Sequence, residues 1–392
     1  MTPSPRDETD VRDAIRDALA AETPLAIRGH GSKAGLGRAA APAQILSLAA
    51  LSGVTLYEPE ELVLTARAGT PLREIVALLD AHRQQLAFEP MDHALLLGGA
   101  RDDATIGGVV AVNASGPRRI KAGAARDHLL GFRCVTGRGE IVKSGGRVMK
   151  NVTGYDLSKL VAGSYGTLAV LTETTFKVLP QAETEQTLLL SGLGEEKGLA
   201  ALRKASGSPY EVSSLAFDPR ENIAALRLEG PEISVVKRRD DLVALLAPLG
   251  AAAQTLEAES SRAFWMRLRD GEPVAAGEGV VWRISLAPSD GFTFVESLRR
   301  NGAPLLAHVY DWAGGLVWLR LEAAPDAHAG AIRAVVDRLG GHATLIRADE
   351  ATRATVDVFH PQPAALAALT RRVKDAFDPL HILERGRMRA DF

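Results

Sequence analysis

Five glycine-punctuated segments crowd between residues 28 and 172, and nothing comparable follows them. They are Arg28-Gly29-His30-Gly31-Ser32-Lys33, the run Ala104 to Gly116, Arg126 to Gly131, Gly145 to Leu157, and Gly163 to Thr172. Glycine turns the chain where a side chain would clash and lets backbone N–H groups come close to a ligand. A chain with its glycines placed this way needs a tightly turned, loop-rich first half and a plainer second half.

Taken singly, each segment has two readings. The 28–33 loop follows a short strand predicted at 24–28, and its small residues allow several N–H groups to converge on a pyrophosphate. Taken alone, it is more readily a plain turn. From Gly29 and Gly31 the third glycine falls at Gly35, one place late for a Rossmann fingerprint, and Gly-Ser-Lys is the wrong order for a Walker loop. In the second segment Thr105 is a good cap, followed by Ile106, Gly107, Gly108 and the apolar run 109–112. That is a short helix facing an anion or a helix whose glycines serve packing. Asn113, Ser115 and Gly116 add polar groups after it. Arg126-Asp127 reads by itself as a surface pair of little energetic weight.

Around these segments the pattern predicts strands and helices in alternation. Apolar positions 11, 15, 18 and 19 predict a helix over 10–20 with Asp10 as cap. A strand is expected at 62–68, then a helix to Asp80 with Thr70 as N-cap and Pro71 at its first position. A strand at 85–89, a hairpin at 132–136 and 140–143, a short helix at 155–162 and a long strand at 168–179 complete the first half. Polar residues 181–186 mark the boundary, giving a first domain 1–180 and a second domain 181–392. Strand-like runs near 187–190, 223–228, 280–286, 304–309, 316–321 and 343–346 alternate there with helical patterns near 195–206, 233–247, 290–301, 326–339 and 363–376. They predict a sheet covered by helices on one side.

Composition closes off several function classes. The 46 Lys and Arg against 48 Asp and Glu leave a formal charge of −2, which argues against nucleic acid as a partner. Cys134 is the single cysteine, so this chain holds neither an internal disulfide nor an iron–sulfur cluster. It is expected to be a buried structural thiol in a reducing compartment. No signal peptide or apolar run of about 18 residues is recognised, so direct membrane insertion is not expected. The nine histidines form no H-x-H or H-E-x-x-H cluster, and no metal site is expected. His308, on an apolar strand, reads as a core or rim histidine.

The order and spacing of the five segments resemble the flavin domain of the p-cresol methylhydroxylase/vanillyl-alcohol oxidase superfamily. More closely, they resemble the GlcE-type subunits of bacterial glycolate oxidase. The stretches that carry the resemblance are RGHGSK (28–33), ATIGGVVAVNASGP (104–117), AARDHLLGF (124–132), GGRVMKNVTGYDLSKL (145–160) and GSYGTLAVLTE (163–173), with FDPLHILERGRM (377–388) as a closing segment. The resemblance implies an α+β protein: a two-lobed FAD-binding domain followed by an α+β cap domain with a mainly antiparallel sheet and the closing segment 377–392. It implies FAD held by Arg28, Gly29, His30, Gly31, Ser32 and Lys33 on one wall. Thr105, Ile106, Gly107, Gly108, Asn113, Ser115 and Gly116 would form the other wall. Arg126, Asp127, Gly166, Thr167, Leu168 and Val170 would lie along the cofactor.

In that superfamily some members attach FAD to a histidine in a similar loop, usually one place later than His30, so simple contact is the expectation here. ERGR (384–387) replaces the family's usual Asn-Pro-Gly-Lys/Arg. The implied function is glycolate oxidation to glyoxylate in a complex with a GlcD-like flavin subunit and a GlcF-like iron–sulfur subunit. The expected location is cytoplasmic, peripheral at the inner face of the membrane through those partners. Flavin chemistry needs no nucleophile of the Ser/His/Asp kind, and none stands out. Two alternatives fit the same residues: a self-sufficient FAD-dependent dehydrogenase of a small hydroxy acid or alcohol, and a flavin-binding structural subunit without turnover. For a substrate carboxylate, Arg283, Arg320, Arg347 and Arg387 are unranked candidates.

Overall fold

The computed structural model describes residues 4–40, 44–146 and 155–392. The Lys150 to Gly154 part of the KNVTGYD motif lies outside the described residues. The chain divides into two units, one of residues 1–115, 123–181 and 361–392, the other of residues 116–122 and 182–360. The sequence groups 361–392 with the second half, but its contacts are made in the first unit.

In the first unit the helix Glu8–Ala20 presents Val11, Ile15 and Ala18 to the core at helical spacing. Asp7, not Asp10, caps it, accepting from the Asp10 N–H at 2.9 Å. These side chains join Leu25, Leu46, Val135, Val170 and Leu383 in one apolar cluster. Strand Leu25–Arg28 pairs in parallel with Gln44–Ser47. A five-stranded antiparallel sheet runs in the order Val54–Glu58, Val63–Arg67, Ala169–Lys177, Leu129–Thr136, Ile141–Gly145. Cys134 lies buried in this sheet, where burial pushes its thiol up to about 12.

Helix Leu72–Asp80 begins after Pro71 without a side-chain cap. Thr70 instead turns its hydroxyl to the Arg67 carbonyl at 2.6 Å. The strand expected at 85–89 shrinks to Gln84–Gln85, paired with Leu179–Pro180.

The C-terminal residues are fastened to this unit at two levels. Leu383 bridges Leu25 in parallel, with the Leu25 N–H donating to the Ile382 carbonyl at 2.7 Å. Below it, the buried Lys374 ammonium donates to Asp378 Oδ2 at 2.6 Å and to the carbonyls of Thr167 and Leu383 at 2.7 and 3.0 Å. Asp378 in turn accepts from the N–H groups of Ile382 and Leu383. Gly137 is required beneath it, since a Cβ there would sit 2.3 Å from Asp378 Oδ1.

The second unit is an eight-stranded antiparallel sheet. Its order is Ala252–Leu256, Thr184–Ser191, Ile223–Gly230, Ser214–Asp218, Leu305–Asp311, Leu316–Leu321, Val280–Leu286, Gly341–Arg347. Period-2 alternation sends Leu188, Leu226, Trp282, Ile284 and Leu319 into a core shared with helices Glu195–Ser206, Gly291–Arg300 and Ala329–Leu339. The sequence missed strands Ser214–Asp218 and Ala252–Leu256. It also missed helix Ala258–Arg269, which packs on the other face through Trp265 and Ser261 against Thr187. The helical cover is therefore not confined to one side, because Thr187 points away from its neighbour Leu188.

Candidate functional site

Within the first unit a cleft opens at the end of strand Leu25–Arg28. It encloses about 740 Å³ free of protein atoms, part of it open to solvent. All six residues of the 28–33 loop line it, as do Thr105, Gly107, Gly108 and Gly166. Among the described residues, the N–H groups of Gly29, His30, Gly31 and Ser32 have no protein acceptor. Gly31 has φ +88°, with nothing within 4 Å of where a Cβ would stand. The loop therefore presents a run of open backbone donors, a nest of the kind that takes an anion.

Helix Ile106–Val112 borders the cleft differently from the expectation of an anion at its N-terminus. Its first N–H groups are already used. Ile106 and Gly107 donate to the carbonyls of Thr70 and Ala68, and Gly108 to Thr105 Oγ1 at 3.4 Å. Gly107 serves close approach instead, since a Cβ on it would lie 2.7 Å from that of Ala68. Gly108 faces the cleft, where a Cβ would meet only Thr105 Oγ1 at 3.3 Å and the Lys33 stem at 3.6 Å.

Lys33 is one of two buried cations of the cleft, with Arg387. Its ammonium has one polar neighbour among the described residues, Ser32 Oγ at 3.5 Å. Burial pushes it down to about 8, against the pull of Asp92. A buried cation without a close counter-ion is costly, and an incoming anion would relieve that cost.

The wall opposite is the closing segment, which the sequence grouped with the second domain, Arg387 being an unranked candidate for a substrate carboxylate. Glu384 accepts from the Ile27 N–H at 2.8 Å and from Arg28 at 2.7 Å, and pairs with Arg387 at 2.9 Å. Arg387 also donates to the Lys33 carbonyl at 2.7 Å, while its Nε is buried without a partner. Arg28, Lys33 and Arg387 against Glu384 leave two positive charges on the cleft. That count, the open N–H groups and the glycine floor suit the diphosphate of a dinucleotide. The donor set fits FAD.

The remaining expected residues lie off the cleft wall. Ile106 and Val170 are fully buried in packing. Leu168 is buried too, and Thr167 is held by its hydroxyl on Ser164 and its carbonyl on Lys374. Asn113 Oδ1 accepts from the Arg126 N–H at 3.0 Å, and Ser115 Oγ from the Ala125 N–H at 3.0 Å. Those polar groups thus fasten the 125–128 turn to the end of the 106–112 helix. Asp127 accepts from the Ala124 N–H at 2.9 Å, and Arg126 is exposed. Gly116 belongs to the second unit. The sequence did not single out Ala68, Ser164, Tyr165, Glu384 or Arg387 as lining residues. The closing-segment resemblance was the available signal for the last two.

A second, wider cavity, with about 1380 Å³ free of protein atoms and much of it open to solvent, lies in the second unit beside Glu195 and His308. His308 Nε2 sits 3.2 Å from Glu195 Oε2, and Tyr310 donates to the same oxygen at 2.8 Å. Burial works against the Glu195 charge, but hydrogen bonds from His308 and Arg299 outweigh it and hold the carboxyl at about 2. This is a satisfied ion-pair cluster at the cavity rim. Among the described residues no group of three His, Cys, Asp or Glu side chains is placed to hold a metal ion. No helix there is long and apolar enough to cross a membrane.

Comparison with known proteins agrees with this geometry. A family model described as "FAD binding domain" matches residues 3–145. Glycolate oxidase subunit GlcE of Escherichia coli (strain K12) is 36% identical over 380 residues, 97% of this chain and 96% of that protein. Glycolate oxidase subunit GlcD of Bacillus subtilis (strain 168) is 28% identical over 313 residues, covering 78% and 61%. Among solved structures, alkyldihydroxyacetonephosphate synthase superposes with a TM-score of 0.67 at 16% identity, over 97% of this chain and 75% of that one. That likeness carries the fold, of the p-cresol methylhydroxylase/vanillyl-alcohol oxidase type. With identity sustained along nearly its whole length, the chain belongs to the family of glycolate oxidase subunit GlcE and is an FAD-dependent oxidoreductase.

Proposed function

We propose that this chain is the FAD-binding subunit of a glycolate oxidase-type complex, oxidising glycolate to glyoxylate and passing electrons to an iron–sulfur partner subunit. The observation that carries the reading is the end-to-end relation to GlcE of E. coli, joined to a cleft whose charge and open donors suit a diphosphate. FAD supplies the hydride-accepting chemistry when bound. The chain supplies the hold on it. Gly29 to Ser32 would offer their N–H groups to the pyrophosphate, and the Lys33 ammonium and Arg387 its counter-charge. Gly31 and Gly108 leave the space. Glu384 keeps Arg28 and Arg387 in place and so limits the positive charge to what the diphosphate neutralises.

With Cys134 as its single cysteine, this chain has no iron–sulfur cluster of its own to receive electrons, so they must pass to oxygen, to a quinone or to a partner. A GlcD-like flavin subunit and a GlcF-like iron–sulfur subunit are the proposed companions, at the cytoplasmic face of the membrane. Co-expression with those two subunits and affinity capture of this one tests the assembly. Recovery of all three with glycolate-dependent reduction of a quinone analogue supports it. Recovery of this chain alone, while the other two retain full activity together, sinks it.

A further inference from the structure

Among the described residues of the first unit two lysines are buried, Lys33 and Lys374, and their surroundings differ. The Lys374 ammonium has all three hydrogens placed, on Asp378 Oδ2 at 2.6 Å and on the carbonyls of Thr167 and Leu383 at 2.7 and 3.0 Å. The Lys33 ammonium reaches only Ser32 Oγ, at 3.5 Å, and Lys33 lines the open cleft. A lysine that lacks both acceptors and a close counter-ion gives up its proton readily, which frees the nitrogen lone pair. At about pH 7.5 roughly a quarter of a lysine held at about 8 is free amine, against about 0.1% of one at the ordinary 10.5.

The walls around that nitrogen select a class of reactant. The N–H groups of Gly29 to Ser32 are open, and Arg28 and Arg387 line the same cleft. Both features favour an anion. Of the four arginines considered for a substrate carboxylate, Arg387 alone lines this cleft. Arg320 donates to the Glu278 carbonyl at 2.9 Å, and Arg347 to those of Ala275 and Gly277 at 2.7 and 3.0 Å, so both brace one loop. Arg283 lies over the Trp312 ring in the second unit. A free amine beside an anion cradle captures carbonyl compounds that carry an acid group, because the cradle holds the acid and keeps the carbonyl close to the nucleophile.

We propose that, while no cofactor fills the cleft, the Lys33 amine forms a reversible imine with a small aldehyde that bears a carboxylate. Glyoxylate is such an aldehyde. Its supply rests on the glycolate reading above, while the amine and its cradle do not. Lys33 gives one proton to solvent, its nitrogen adds to the aldehyde carbon, and the resulting carbinolamine loses water to leave a C=N bond. The step needs no oxidant or reductant, and water reverses it. The adduct stands where the cofactor diphosphate would, so the aldehyde competes with FAD loading and bound FAD shields the lysine. That competition rests on the reading of this cleft as the diphosphate site.

The test is reductive trapping. The full chain, stripped of FAD and again with FAD in excess, is treated with glyoxylate and cyanoborohydride. The reagent delivers hydride to the imine carbon and leaves a stable carboxymethyl-lysine, and peptide mass mapping gives the rate at each lysine. In the stripped chain Lys33 should be labelled on the order of tenfold faster than the exposed Lys197. Excess FAD should suppress labelling of Lys33 and leave that of Lys197 unchanged. Acetaldehyde, which has no carboxylate, should show a smaller preference for Lys33. In Lys33→Met the fast site should vanish, and glyoxylate should no longer slow FAD loading.

Labelling of Lys33 no faster than Lys197 in the stripped chain, folded or not, overturns the proposal. An equal preference with acetaldehyde overturns it as well, since the cradle is then idle. Fast labelling of Lys33 that FAD does not slow sinks the reading of the cleft as the diphosphate site and leaves the amine site standing. Fast, FAD-sensitive labelling in a chain that never oxidises glycolate, alone or with its partners, sinks the glycolate reading alone.

Discussion

The two units build polar sites from opposite materials. The cleft of the first unit is made chiefly of backbone: a loop of N–H groups without acceptors, glycines that keep its floor clear, and one buried lysine. Several polar centres of the second unit are made of side chains that already satisfy one another. Arg118, for example, forks onto Glu229 at 2.6 and 3.0 Å, with Glu185 at 3.6 Å, and buried Arg227 stacks on Trp265 while bonded to Ser214. The difference teaches where each kind of site is vulnerable. A backbone site is blocked by adding atoms, and a side-chain network is broken by removing them.

The largest effect should come from adding atoms. Gly108→Trp fills the cleft beside Lys33 and should abolish FAD retention, read as flavin absorbance of the purified chain, with an unchanged circular dichroism spectrum. Gly108→Ala sharpens the point. Its Cβ meets only Thr105 Oγ1 at 3.3 Å and the Lys33 stem at 3.6 Å, so most of the FAD should remain.

Removing atoms should act on stability instead. Lys374→Met strands the buried Asp378 carboxylate and should cost about 3–5 kcal/mol of unfolding free energy, measured by urea denaturation. A cost below about 1 kcal/mol would show that the closing segment is held by its backbone bridge to Leu25 and by the contacts of Glu384 and Arg387, without this ion pair.

Next in size is a pH effect on the cofactor. Burial holds the Lys33 ammonium down at about 8 in the cofactor-free chain, and a bound diphosphate favours its charged form. Below pH 8 the charge is present before and after binding. Above pH 8 binding must take up a proton, so FAD affinity should fall by up to about tenfold per pH unit there. Fluorescence titrations at pH 7, 8 and 9 check this, and Lys33→Met should bind more weakly with no such slope. The same linkage makes Lys33 a small burden on the cofactor-free fold. The unfolded chain holds the lysine proton up to its ordinary value of 10.5, so stability should rise between about pH 8 and 10.5, and Lys33→Met should remove that rise.

How much of this was legible in the sequence follows from the same contrast. A backbone site writes itself locally, because glycines must stand together in the chain where the backbone must stand close to a ligand. Gly29, Gly31 and Gly108 were readable for that reason. Asn113 and Ser115 were placed in the right neighbourhood, but they spend their side chains on the N–H groups of Arg126 and Ala125. Spacing cannot tell a polar group that faces a ligand from one that fastens a turn. Glu384 and Arg387 reach the 28–33 loop across more than 350 residues of chain, and their contact with it exists only after Leu383 bridges Leu25.

The second unit hid more. Ser214–Asp218 is a five-residue strand with four buried positions, and such a short run cannot be told from a buried helix turn by period. The meeting of Arg119, Arg283 and Trp312 joins a four-residue helix, a strand and a tight turn that lie far apart in the chain, which no local pattern carries. The strands and helices with clear alternation or helical spacing, such as Ile223–Gly230 and Glu195–Ser206, were readable from the pattern alone.

The most direct test of the whole account is the visible spectrum of the FAD-loaded chain under anaerobic conditions, recorded before and after glycolate. The account predicts an oxidised flavin spectrum that bleaches on addition. A flavin that stays oxidised in excess glycolate, both alone and with the partner subunits present, would contradict it.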